Sequence, residues 1–249
     1  PGTEFYRRRD EYRIEAVPVA GYGKAKGEYV VACHSFDRDQ GEEGYFLISA
    51  HILLVHGHIM PLTCRLLALK GEVPVSPLFR DILRSIIDIL LEPAELVDID
   101  KADRMAIYEQ RDHIYLCALG KRADLYRVIR QRLEAHHQEH GADAADALRA
   151  LALDEQLSPR HGAEHRDEQS FDFAADAWYH ALEAMELPQP GAATPQQRVL
   201  QIQHPGGLGE ILQVADGGSW LRGIVLKSSQ IGEPALPDVQ YVAIAEGSI

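Results

Sequence analysis

The stretch SPLFRDILRSIIDILLEP, residues 76–93, decides the fold class. In it Phe79, Ile82, Leu83, Ile86, Ile87 and Leu90 recur at three- and four-residue spacing, while Arg80, Asp81, Arg84 and Asp88 share the other side. That is the stripe of an amphipathic helix laid on a core, not the two-residue alternation of a strand. Ser76 is placed to cap the helix, Pro77 suits its first position and Pro93 stops it.

Towards the C-terminus the helical pattern continues to about residue 187. A second helix is expected over 101–119, stopped at Gly120, and a third in RADLYRVIRQRLEAHH, residues 122–137, with Leu125, Ile129 and Leu133 on one stripe. DAADALRALALDEQL (143–157) and FDFAADAWYHALEAMEL (171–187) follow, the latter capped by Ser170 and ended by Pro188. Towards the N-terminus the signal changes. YRIEAVPV (12–19), glycine-rich GYGKAKG (21–27) and EYVVACHSF (28–36) read as extended segments joined by turns, and DRDQGEEG (37–44) as a polar turn into a further strand, YFLIS. Beyond the proline- and glycine-broken linker 188–197 the pattern is again extended, in RVLQIQ, EILQVA, SWLRGIVL and DVQYVAIA.

The expected fold is therefore α+β, with a mostly antiparallel sheet built from N- and C-terminal segments around a central helical region. The regions are 6–75, β-rich; 76–187, helical; and 198–249, β-rich and completing one domain with the first. A separate helical domain between two small β units is the alternative.

With 249 residues, 27.7 kDa and 46% hydrophobic residues, the chain can bury a core without disulfides or a structural metal. Its formal net charge is -13, and an excess of roughly eight acids falls within 141–187. Phosphate backbones repel such a surface, so nucleic acid would need a local basic patch. Cys33, Cys64 and Cys117 are odd in number and widely spaced, which points to a reducing compartment, read as the cytoplasm. No apolar run reaches the roughly 18 residues of a membrane span; Tyr45 to Met60 comes nearest and is interrupted by His51, His56 and His58. The opening PGTEF reads as a cleavage and cloning remnant and is set aside from the fold reading.

A divalent metal is the one cofactor the sequence suggests. HILLVHGHIMPLTC, residues 51–64, holds His51, His56, His58 and Cys64. On an α-helix His51 and His58 share a face and His56 points away; on a strand His56 and His58 pair and His51 opposes them. Neither aims three ligands at one ion, and HExxH is absent. His136 and His140, one helical turn apart, are a further possible metal pair.

For nucleophilic chemistry the candidates are Cys33 and His34, where a strand gives way to a loop, with His113, His180 and His204 as bases if folding delivers them. Adjacent strand residues face opposite ways, so His34 is a poor base for Cys33. Lys24 and Lys26 in GYGKAKG offer a phosphate cradle, although the spacing fits neither the Walker nor the dinucleotide pattern. Asp172, Asp176, Trp178 and Glu183 lie on one acidic helical segment.

These features give three expectations. The first is a binding or regulatory protein that engages a protein partner through the acidic helical surface; the apolar stripe Ala174, Ala177, Trp178, Ala181, Leu182 and Met185 ordinarily packs on the core, and Trp178 or Tyr179 would anchor a partner if exposed. The second is a His/Cys-dependent hydrolase, with or without metal, in which His34, His51, His56 and His58 meet in a cleft. The third is a nucleic-acid or nucleotide processing protein using Lys24, Lys26 and the bases between Arg80 and Arg132.

Overall fold

The stripe of residues 79–90 is buried as its spacing requires: Phe79, Ile82, Leu83, Ile86, Ile87 and Leu90 all lie in the core. It does so in a computed structural model that describes residues 4–19, 27–96, 99–158, 165–189, 198–204 and 240–243. In chain order the described elements begin with α1 (Glu4–Arg7), β1 (Glu15–Val19), β2 (Gly27–Ala32), α2 (Arg38–His51), a π-helical turn over Ile52–His56 and α3 (Pro61–Lys70). Next come α4 (Val75–Ser85), a π-turn over Ile86–Leu90, a 3-10 turn at Pro93–Glu95, α5 (Arg104–Glu109), α6 (Arg111–Gly120), α7 (Arg122–Glu139) and α8 (Ala145–Leu157). The last are β3 (His165–Phe171), α9 (Ala175–Glu183), β4 (Arg198–His204) and β5 (Gln240–Ala243).

The α+β class holds, with antiparallel strands from both ends of the chain and helices between them. Among the described residues the strands form two sheets rather than one: β1 pairs with β2, from Glu15 opposite Ala32 to Val19 opposite Gly27, and β4 runs between β3 and β5. β3 lies inside the stretch expected to be helical, where HRDEQSF offers no apolar stripe to a helix.

The strand expected at YFLIS is instead the C-terminal half of α2. Asp37 and Gln40 form a reciprocal capping box, with Gln40 N donating to Asp37 Oδ1 at 2.9 Å and Asp37 N to Gln40 Oε1 at 3.1 Å. Phe46, Ala50, Leu53 and Leu54 then return at helical spacing and are buried. Gly41 lets α2 lie directly on β2, since a β-carbon there would sit 1.9 Å from Val31 O.

At α4 the cap is Pro74 rather than Ser76. The helix widens into its π-turn, and the Lys101 and Lys121 ammonium groups donate to the Ile87 and Leu90 carbonyls, each at 3.0 Å, as cations commonly do at helix C-termini. The single helix expected over 101–119 is divided at Gln110 into α5 and α6.

One connected set of buried residues runs from Phe46 to Ile202 and draws on both sides of residue 75, including Leu54, Leu66, Ile82, Leu125 and Leu151. Its central polar feature is Asp154 on α8, 1% exposed. α3 starts at Pro61 with no side-chain cap from Met60. Asp154 supplies that cap across the fold, accepting from Leu62 N (2.9 Å), Thr63 N (2.8 Å) and Thr63 Oγ1 (2.7 Å). Tyr126 Oη donates to Ile59 O at 2.6 Å and Tyr115 Oη to Gly57 O at 3.0 Å, which fixes the corner at which the chain turns by 112° from the first π-turn into α3.

Among the described residues no single helix is long and apolar enough to cross a membrane. The bent pair on either side of that corner has the composition for it, but its apolar side chains, Phe46, Leu53, Leu62 and Leu66 among them, are spent on the core.

Candidate functional site

The histidines of 51–64 are arranged by the π-turn. Its i to i+5 hydrogen bonding widens the turn, so residues five apart come together where an α-helix would separate them. His51 and His56 accordingly stack edge to face, ring centroids 5.1 Å apart, beside Phe79 at 6.2 Å from His51. Partial desolvation and then the neighbouring His56 hold the His51 imidazole below its ordinary pKa. This pairing is neither of the two that a regular helix (His51 with His58) or a strand (His56 with His58) would give. His58 sits in the left-handed region, at φ 54, at the corner leading to α3. Cys64 is half-buried against the core, where burial first and Asp154 second push its thiol well up. A thiol so raised is a poor metal ligand and a poor nucleophile.

The catalytic candidates are dispersed. Cys33 and His34 lie just before α2, and His51 ends it, so the length of a 14-residue helix, roughly 20 Å, separates His34 from the His51–His56 pair. His34 packs on the Tyr12 ring at 5.6 Å. His204 ends β4 opposite His165 in backbone register. Lys24 and Lys26 lie outside the described residues.

His113 does approach a cysteine, Cys117, at 3.5 Å on the same face of α6. Its Nε2 also donates to Glu95 O at 2.6 Å, however, and a nitrogen committed as donor cannot take the thiol proton. Burial, with Glu95 adding to it, raises the Cys117 thiol. This pair is a packing contact and not an activated nucleophile.

The bases between Arg80 and Arg132 are all engaged within the protein. Glu43, Asp39, Glu95, Asp124 and Glu155 pair with Arg80, Arg104, Lys121, Arg127 and Arg130. Backbone carbonyls hold Arg84, Lys101 and Arg111, and serine hydroxyls hold Arg122 and Arg132. No patch of uncommitted cations is left here for a phosphate backbone.

On the acidic segment Trp178 is 1% exposed, with its ring against Phe173 at 5.6 Å. It is a core residue, because the stripe that carries it is the face α9 turns inward, as an amphipathic helix on a core requires, and Trp178 is thereby corrected as a candidate for the binding surface. Asp172 is exposed, Asp176 half-buried, and Glu183 exposed and ion-paired with Arg65. The exposed apolar groups are Met185 (52%) and Leu187 (48%), just past the end of α9 and flanking Glu186. The sequence pattern runs the helix to 187 with Met185 on its apolar stripe; the helix instead ends at Glu183 and Met185 turns to φ 58, which takes it off that face.

Three side chains converge at the end of α7. His136, Glu139 and His140 each offer a ligand atom, all within 4.8 Å of one another, and the two imidazoles lie 4.4 Å apart by ring centroid. Compared with known protein families and with curated proteins, the chain matches none.

Proposed function

We propose that the chain is a cytoplasmic binding or regulatory protein whose acidic helical surface engages a basic segment of a protein partner. The observation that carries this reading is the exposed pair Met185 and Leu187, which flank the exposed Glu186 just past the end of α9, with the exposed Asp172 just before its start. Exposed apolar side chains beside an unburied carboxylate suit an amphipathic cationic segment: the apolar contact supplies affinity and the charge supplies orientation and encounter rate. The three free cysteines support the reducing compartment.

The test uses a fluorescein-labelled peptide of alternating lysine and leucine, read by fluorescence anisotropy against the full chain. Binding should weaken as salt rises, and it should weaken both in the charge reversals Asp172→Lys with Glu186→Lys and in Met185→Ser with Leu187→Ser. Affinity unchanged in both double variants would overturn the reading.

A further inference from the structure

We infer that the last turn of α7 is a binding site for a late first-row divalent cation such as zinc, with His136, Glu139 and His140 as its protein ligands. Positions i, i+3 and i+4 of a helix share one face, which is why these three come together. Proximity alone would be a weak argument, since exposed histidines and acids often gather without an ion. The hydrogen bonds behind the rings carry the inference further.

His136 is 5% exposed, and its Nε2 donates to Pro74 O at 2.8 Å. A carbonyl only accepts, so in the neutral ring the proton is on Nε2 and Nδ1 holds the lone pair. His140 is set the other way. Its Nδ1 donates to His136 O at 2.8 Å, which leaves the lone pair on Nε2.

Each imidazole thus has its tautomer and orientation fixed by a backbone carbonyl, as metal-ligating histidines commonly do, before any ion arrives. Glu139 is exposed and already has a carboxylate oxygen within 4.8 Å of both imidazole ligand atoms. The carbonyl end of the helix adds a field that favours a cation, as does the chain's net charge of -13.

The donor set selects the ion. Two imidazoles and one carboxylate suit zinc, nickel, cobalt or copper, whereas magnesium and calcium require mainly oxygen. Three protein ligands leave at least one position to solvent, and the site lies on the surface. The ring of His136 also reaches the residue that caps α4, so a bound ion would pin the end of α7 to the start of α4.

The test is isothermal titration of the tag-free full chain with zinc chloride and, separately, magnesium chloride, with the thermal midpoint of each variant recorded without metal to establish that it is folded. One zinc per chain should bind, magnesium should not, and zinc should raise the midpoint of the wild type. His140→Ala and Glu139→Gln alter exposed side chains and so keep the fold; His140→Ala should weaken zinc at least about tenfold, and Glu139→Gln by less. His56→Ala, at the other close histidine pair, should leave binding unchanged. Absence of zinc binding by the wild type at millimolar concentration, or binding lost in His56→Ala and kept in His140→Ala, would overturn the assignment.

Discussion

Removal of the Asp154 carboxylate tests the idea that one buried acid holds α3 in place. In Asp154→Ala the Leu62 and Thr63 amides and the Thr63 hydroxyl lose their acceptor at a site closed to water. Each buried donor left unmet costs about 1–3 kcal/mol, and a lost N-cap typically about 1 kcal/mol. Relief from no longer burying an ionised group offsets part of this. The expected loss is about 3 kcal/mol, a fall of roughly 6–12 °C in Tm for a chain of this size.

The pH dependence of the same side chain gives an independent check. Burial pushes the Asp154 carboxyl up to about 7, against the pull of its hydrogen bonds from Thr63 and Leu62. An acid whose pKa is higher folded than unfolded holds its proton more tightly in the native state. Its contribution is fully present below pH about 4 and is lost as pH rises towards about 7. Equilibrium urea unfolding across that window should show the wild type losing stability relative to Asp154→Asn, which has no group to titrate there. A cost below about 1 kcal/mol for Asp154→Ala, or parallel pH profiles for wild type and Asp154→Asn, would refute the reasoning.

Other perturbations follow from single contacts. Tyr126→Phe removes the hydroxyl that donates to Ile59 O and Asp154 O, and should cost about 1–2 kcal/mol in chemical denaturation without changing the fold. Gly41→Ala drives a β-carbon into Val31 O and should destabilise by 3 kcal/mol or more, on the order of an overpacked core. Gly44→Ala, in the same helix with open space around it, should stabilise by about 0.5–1 kcal/mol; equal effects at the two glycines would contradict the packing of α2 on β2. Because burial raises the thiols of Cys64 and Cys117, iodoacetamide at neutral pH should modify Cys33 first, as peptide mapping would show.

What could be read from the sequence, and what could not, follows from the range over which each signal acts. The stripe at 79–90 needs only one buried face, and all six of its apolar residues are buried. The Tyr45–Ser49 segment carried five residues of signal, too few to separate a strand from a buried helix, and the deciding feature lay upstream in the Asp37–Gln40 capping box. The π-turn at 52–56 is a tertiary product: its sequence is an ordinary apolar run, yet it sets which histidines meet. The His136–His140 spacing was visible, whereas the carbonyl of Pro74 that fixes the His136 tautomer lies 62 residues away and was not.

The charge count shows the same limit for the surface. The acid excess of the 141–187 segment is a property of composition, and folding redistributes it. Asp154 is withdrawn into the core, Asp146 is bound by Lys70 and Arg149, and Glu183 by Arg65. An acid already paired contributes little field at a distance, because its partner's opposite charge cancels it beyond about a Debye length. What a partner meets is therefore smaller and more local than the sequence suggests: Asp172 before the start of α9, and Glu186 between Met185 and Leu187 past its end. On this argument reversing Asp146 or Asp154 would act through stability, and reversing the exposed Asp172 and Glu186 would act through binding.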